Sequence, residues 1–340
     1  MPFTLSHPAA VLPLMRRPFV PAALVAGALA PDVPYFLATL GLSGSGGHSW
    51  SEPFLNATTT HSPGGGLITG LPVALGLIAL HQMLRAPVSA LLPSGLRLPE
   101  PERPVGTHAR ARYVLWLLLS ALIGIASHLA WDSFTHGDGL LVTQLELLRT
   151  PVLGGLTVGR LLQHVSTAAG LAAVTWHLWR RRGRLRSPGA GTVNRLRPVM
   201  RWCVVAVLVA SPVLGAAVKA RDDFHAHRYV TEADYTRPVT VDLGGGVTET
   251  TYPSTTAPAP LGTLAEGMLT GAAKRAGVAF TVALLLYAAA WQTGSLPHRR
   301  RRRRAGLVGH HRPETHPARV DEPSSSPAQA TTAGGRPCPP

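Results

Sequence analysis

The stretch Ser127-His128-Leu129-Ala130-Trp131-Asp132-Ser133-Phe134-Thr135-His136 sets imidazole, carboxylate and imidazole four residues apart. On a continuous helix this spacing stacks His128, Asp132 and His136 along one face. Imidazole nitrogens and carboxylate oxygens are ordinary ligands for zinc or a similar divalent ion. The two turns before His128 are apolar and carry no charge. Ionisable groups at membrane depth are costly, and they mark either a functional site or a buried pair.

Three other elements are expected to reach the same end of the molecule. His7 begins a short apolar arm, Asp32 in Ala30-Pro31-Asp32 ends a second arm, and His61 in Thr60-His61-Ser62-Pro63 leads into the next apolar segment. The metal ligands are therefore read as His7, Asp32, His61, His128 and Asp132. His136 and His164 are read as acid/base or supporting groups. Each residue also has a plain structural reading. His7 can cap a helix, Asp32 can be a turn residue before Pro34, and His61 can be a loop histidine. His128 and Asp132 can form a hydrogen-bonded pair that fixes packing, and His164 can be a lone histidine at a helix start. It is the convergence of the set that favours a metal or catalytic site. Arg160, near the same end, suits an anionic group such as phosphate or simply a helix end. Asp138, beyond Gly137, suits hydrogen bonding to a ligand.

The elements that must position these groups are membrane spans. Only 14% of the 340 residues are charged, against about 25% in soluble domains. The charges also avoid the apolar segments 67–84, 114–130, 165–179, 202–218 and 276–291. Each of these is close to the length a helix needs to cross a bilayer. The arms 8–15 and 20–30, joined by Arg16-Arg17-Pro18, are too short to cross alone and are expected to form a hairpin buried among the spans. The fold class is thus all-α, a polytopic transmembrane bundle with a short N-terminal helical hairpin, occupying 1–296.

Basic residues fall at 16–17, between 85 and 112, between 180 and 201, and at 299–304, all on one side if the spans alternate. That side is expected to face the cytoplasm and anionic headgroups, which places the protein in the cell membrane as a multi-pass chain. The same arrangement argues for a lipid-facing role of the net charge of +15 rather than for nucleic acid. The His/Asp set falls on the other side, with an extracytoplasmic loop at about 220–275. Within that loop, 237–243 and 247–252 lean toward strands, and 261–275 suits an amphipathic helix on the membrane surface. The basic tail 297–340 turns Pro/Ser/Ala/Thr/Gly-rich and is expected to be disordered. Cys203 and Cys338 suggest neither a disulfide framework nor a thiolate site. The glycine runs at 43–47 and 64–66 lack the context of a phosphate loop, and no Gly-x-Ser-x-Gly elbow occurs.

The N-terminal Met1-Pro2-Phe3-Thr4-Leu5-Ser6-His7-Pro8-Ala9-Ala10, the Ala30-Pro31-Asp32 element, Ser127–His136 with Gly137-Asp138-Gly139, and Leu161-Leu162-Gln163-His164 resemble a bacterial family of membrane proteins, domain-of-unknown-function family 4184. The resemblance covers roughly 1–295 and implies membrane architecture more than an activity. A weaker likeness is to bacterial membrane-bound metal-dependent hydrolases, through His7, Pro31-Asp32, Thr60-His61-Ser62 and Ser127-His128 with Asp132. That pattern has further acidic, His and Arg positions where this chain has Val33-Pro34-Tyr35 and Ala57-Thr58-Thr59. The likeness therefore implies a reduced or mononuclear site.

The leading expectation is a metal-dependent hydrolase at the outer membrane face, acting on a lipid or another phosphate ester. Its cofactor would be a divalent ion such as zinc. The alternative is a non-enzymatic membrane protein, a transporter or structural subunit, whose His/Asp cluster handles protons or stabilises packing. Oligomeric state is not legible in the sequence.

Overall fold

Pro8, Pro21, Pro63 and Pro198 each stand in the first turn of a helix, where the missing N–H leaves no bond unmade. In the computed structural model they open α1 (Pro8–Val11), α2 (Pro21–Leu29), α5 (Pro63–Leu91) and α10 (Pro198–His227). Between these lie α3 (Val33–Thr39), α4 (Ala57–His61), α6 (Thr107–Thr135), α7 (Leu140–Gln144), α8 (Glu146–Arg149) and α9 (Val158–Arg181). The helix α11 runs from Leu261 to Gly309. The structure describes residues 3–42, 56–93, 104–137, 139–153, 156–185, 196–242, 244–245 and 248–309. Arg97, Arg103, Asp138, Arg186, Arg195, residues 43–47, Leu243, Val247 and residues 310–340 lie outside that set. The chain forms two units, Met1–Thr293 and Gly294–Pro340. In the second unit the helix is assigned through Gly309, so 297–309 is helical where disorder is the sequence expectation.

Among the described residues, five helical stretches are long and apolar enough to cross a membrane: Pro21–Thr39, Gly64–Leu91, Thr107–Gln144, Pro198–His227 and Leu261–Gly294. The fold is an all-α polytopic transmembrane bundle, as expected, but two assignments change. The second hairpin arm does not stop at Ala30. A 3-10 turn at Ala30–Asp32 carries it into α3, and the composite reaches spanning length. Conversely, 165–179 belongs to α9, which is not among the five. Arg160, Gln163 and His164 at one end and His177, Arg180 and Arg181 at the other dilute its apolar stretch.

The hairpin packs inside the first unit. Lipid is as apolar as leucine, so helices in a membrane are held by close contact rather than by expulsion from water. Glycine and alanine supply that contact between α2 and α6. A Cβ on Gly27 would fall 2.1 Å from the Ala121 carbonyl oxygen, and one on Gly124 2.3 Å from that of Leu24. Ala23, Ala26, Ala30, Ala74 and Ala121 make a small-residue core between α2, α5 and α6. The Val20 N–H donates to Ser120 Oγ at 3.0 Å, which locks the register of α2 on α6. On the other flank α9 lies along the first arm. Phe3 N–H donates to Thr167 Oγ1, Gly170 leaves room for Ser6, and Arg181 reaches the Met15 carbonyl.

Outside the helices, β1 (Pro151–Leu153) pairs with β2 (Leu156–Thr157). The strands β3 (Tyr229–Ala233), β4 (Val239–Asp242), β5 (Thr248–Thr251) and β6 (Ser254–Pro258) form two antiparallel ladders, β3 with β6 and β4 with β5. The segment expected as a loop over 220–275 is therefore shorter. The helix α10 continues to His227 and α11 begins at Leu261, which leaves 228–260 as the ribbon. Nor is 261–275 a separate surface helix. No proline separates it from 276–291, and the two form one continuous helix.

Candidate metal centre

Four elements deliver the polar groups. The first arm starts at His7. The 3-10 turn that follows α2 places Asp32, with none of its surface exposed. His61 closes α4, whose start is capped by Asn56 Oδ1 accepting from Thr58 N–H and whose successor α5 is capped by Ser62 Oγ accepting from Gly65 N–H. His128 and Asp132 stand one turn apart near the end of α6, and His136 follows that helix as its C-cap. Thr60, fully buried, donates to the Pro31 carbonyl at 2.8 Å and so ties α4 to the turn carrying Asp32.

Asp32, His61, His128 and Asp132 each aim one ligand-capable atom at a common point, and these atoms all lie within 4.8 Å of one another. His61 Nε2 stands 3.3 Å from Asp32 Oδ1 and 3.4 Å from Asp132 Oδ2. His128 Nε2 stands 3.6 Å from Asp32 Oδ1, 3.2 Å from Asp132 Oδ2 and 3.3 Å from His61 Nε2. The other ring nitrogens are already committed. His128 Nδ1 meets the Ala28 carbonyl and His61 Nδ1 the Ala57 carbonyl, each at 2.8 Å. A carbonyl only accepts, so both Nδ1 atoms carry a hydrogen, and each ring turns its Nε2 inward, as a lone pair whenever the ring is neutral. Such anchoring by a backbone carbonyl is how metal-binding histidines are oriented.

The donor set fits a cation. Both carboxylate oxygens of Asp32, both of Asp132, and His7 Nε2 are buried with no hydrogen-bond partner. Lone pairs facing lone pairs at such distances in a water-poor pocket are unfavourable unless a proton or a metal ion stands between them. Two imidazoles and two carboxylates match the ligand types and number of a mononuclear zinc-like site.

Two further histidines border the four. The His7 ring stacks on His128 with centroids 3.9 Å apart, and its Nε2 is 3.6 Å from Asp132 Oδ1. Burial and the neighbouring His128 lower its pKa to about 4, so His7 is neutral at physiological pH. Burial also opposes a charge on His61, but the carboxylates of Asp132 and Asp32 outweigh it and raise that pKa to about 9. In the metal-free protein His61 thus carries a proton where a metal ion would sit. His136 Nδ1 approaches Asp132 Oδ2 at 3.5 Å, with its side chain 18% exposed, and forms the solvent-side rim together with His61.

The structure therefore brings together His7, Asp32, His61, His128, Asp132 and His136. It does not bring in His164. One residue advances a helix by about 100°, and in α9 it is Gln163 that faces inward while His164 is exposed. Arg160 is likewise engaged elsewhere, in an ion pair with Glu266 of α11. Sequence reasoning missed the carbonyls of Ala28 and Ala57, the Thr60 tether, and Tyr35, whose ring meets His61 edge-on at 5.5 Å. The Ala57 contact is a one-turn back-bond that spacing can suggest. The Ala28 contact joins residues 100 apart and has no local signature.

Fold and site together define a polytopic helical membrane protein with a buried His/Asp cluster that can hold a metal ion. The chain belongs to the family described as Domain of unknown function (DUF4184), whose model matches residues 1–250. No curated protein and no solved structure matches it.

The Thr60 tether offers a first test. Thr60→Val keeps the shape but leaves the buried Pro31 carbonyl without its donor, at a cost of about 1–3 kcal/mol. Thermal unfolding in detergent should fall accordingly, and zinc affinity by about tenfold, because His61 and Asp32 are no longer held in register. An unchanged affinity would show that α4 does not need this bond to place His61.

Proposed function

We propose that the protein is a membrane-embedded metal-dependent hydrolase acting at the outer membrane face on a lipid or another phosphate ester. The observation that carries this reading is the convergence of Asp32, His61, His128 and Asp132 in a buried cluster, with both Nε2 atoms directed inward and four carboxylate oxygens without a hydrogen-bond partner. The likeness of His7, Pro31-Asp32, Thr60-His61-Ser62 and Ser127-His128 with Asp132 to membrane-bound metal-dependent hydrolases supports it. These four side chains would hold a divalent ion such as zinc. Once held, the ion supplies Lewis acidity, lowering the pKa of a water and polarising a phosphoryl oxygen. The chain's own residues do the rest. His128 and His61 are oriented by carbonyls, and His7 braces the His128 ring from behind. His136, at the rim and in contact with Asp132, is placed to pass a proton to a departing alcohol.

The test uses the full chain purified in mild detergent. About one zinc or similar ion per chain is expected, from one four-ligand site. Hydrolysis of bis-p-nitrophenyl phosphate should disappear with EDTA and return with zinc. Absence of metal, or hydrolysis indifferent to EDTA, would reject the reading. Because His61 must give up its proton to become a ligand, zinc binding at neutral pH should release about one proton per ion. Zinc affinity should then rise as pH climbs toward about 9. Calorimetry in buffers of different ionisation enthalpy measures the release. A second reading, proton handling without metal, is favoured by the same proton on His61, shared between two buried carboxylates. It predicts no bound metal and no proton release.

A further inference from the structure

A groove of about 710 Å³ runs between α10 and α11, lined by Val204, Val207, Val278, Val282 and Leu286 and reaching Leu40 just beyond α3. Arg275 stands at one end of it and Ala290 at the other. At 1.5 Å per residue these are about 22 Å apart along α11, longer than the ~15 Å depth of one leaflet's hydrocarbon. The two ends differ in chemistry. Toward Ala290 the lining is apolar, and Tyr287 is tied off by donating to the Pro87 carbonyl at 2.8 Å. At the other end Arg275 spends one N–H on the Thr39 carbonyl, and Lys274 lies over the Tyr35 ring at 4.8 Å. Glu266, more than two turns further along α11, is paired with Arg160, and Asp223 of α10 is paired with Lys219. Positive charge therefore remains in excess where the apolar groove ends.

That end adjoins the metal centre. Tyr35 touches Lys274 on one side and His61 on the other, and α3 carries the chain from Asp32 to the groove within two turns. We infer that the groove seats an acyl chain of an anionic phospholipid, with its phosphate held by Lys274 and Arg275 beside the cluster, and that this lipid is the hydrolase substrate. The substrate role rests on the function proposed above, whereas the lipid seat stands independently of it. An acyl chain fits an apolar channel between two membrane spans, and a phosphate fits a lysine and an arginine at its mouth. In the reaction a water oxygen bonds to phosphorus, the ester P–O bond breaks, and the departing alcohol takes up one proton. Water is the only co-reactant.

The test is native mass spectrometry of the full chain in dodecyl maltoside, titrated with equal palmitoyl-oleoyl-phosphatidylglycerol and palmitoyl-oleoyl-phosphatidylcholine. Wild type should retain the phosphatidylglycerol preferentially. Lys274→Gln with Arg275→Gln should lower its retention about tenfold, as expected for losing charge-assisted bonds. Ala283→Trp, which fills the groove while leaving both cations in place, should lower it comparably with helicity unchanged. Equal retention of the two lipids by wild type, or undiminished retention by the folded Ala283→Trp variant, overturns the seat. EDTA-treated wild type should still retain the lipid. Retention without zinc-dependent cleavage of phosphatidylglycerol would refute the substrate role while sparing the seat. Cleavage of bis-p-nitrophenyl phosphate alone would refute only the choice of substrate.

Discussion

Asp132→Asn is expected to abolish metal binding while leaving the helical bundle folded. Asp132 is the hub of the cluster: Oδ2 faces His128 at 3.2 Å, His61 at 3.4 Å and His136 at 3.5 Å, and Oδ1 faces His7 at 3.6 Å. Asparagine keeps the volume but removes the charge and turns one acceptor into a donor. Loss of an orienting partner alone weakens a metal site by about ten- to a hundredfold, so loss of a ligand should exceed about a hundredfold, and hydrolysis should drop to background. Stability separates this from a packing role. If the His128–Asp132 contact were chiefly structural, removing one partner of a buried pair would cost about 3–5 kcal/mol. In a metal site the metal-free protein should lose little, because Asp32 still balances the proton on His61. Thermal unfolding of the EDTA-treated variant, beside metal analysis of the untreated one, decides between them. A large loss of stability with metal retained would leave the cluster as a packing device.

Gly124→Val should lower stability substantially and should cost the metal as well. The Cβ position at Gly124 lies 2.3 Å from the Leu24 carbonyl oxygen, 2.8 Å from Ala28 N and 2.9 Å from Gly27 Cα. All three are backbone atoms, so no side chain can swing away, and α2 must separate from α6. Overpacking of this kind costs about 1–3 kcal/mol and occasionally more. The same movement carries off the Ala28 carbonyl that orients His128. A control lies on the neighbouring span, where a Cβ at Gly76 meets nothing within 4 Å. Gly76→Ala should therefore gain up to about 1 kcal/mol from helix propensity. Circular dichroism melts with zinc content measured in parallel test both variants. A Gly124→Val protein as stable as wild type would mean that the α2–α6 contact does not hold the bundle together.

Much of the candidate site was legible before any coordinates. The four-residue spacing of His128, Asp132 and His136 is a local property of one helix, and helical periodicity alone puts them on one face. That His7, Asp32 and His61 would gather with them was expected from alternation of apolar segments, although the set of spans differs from that expectation. The faces of α9 were less legible, because its hydrophobic pattern is diluted and the phase of His164 against Gln163 cannot be told without neighbours. The extent of α10 and α11 escaped too, since charged residues within a helix that outruns the bilayer read as loop.

Chain chemistry by itself determined that this protein is a bundle of apolar helices carrying a His/Asp set, since burial in lipid leaves the backbone no alternative and makes each such group costly. Only the tertiary structure decided which lone pairs face one another. That depends on how closely Gly27 and Gly124 let two helices approach, and on the Ala28 carbonyl finding a histidine 100 residues away, which no local pattern encodes.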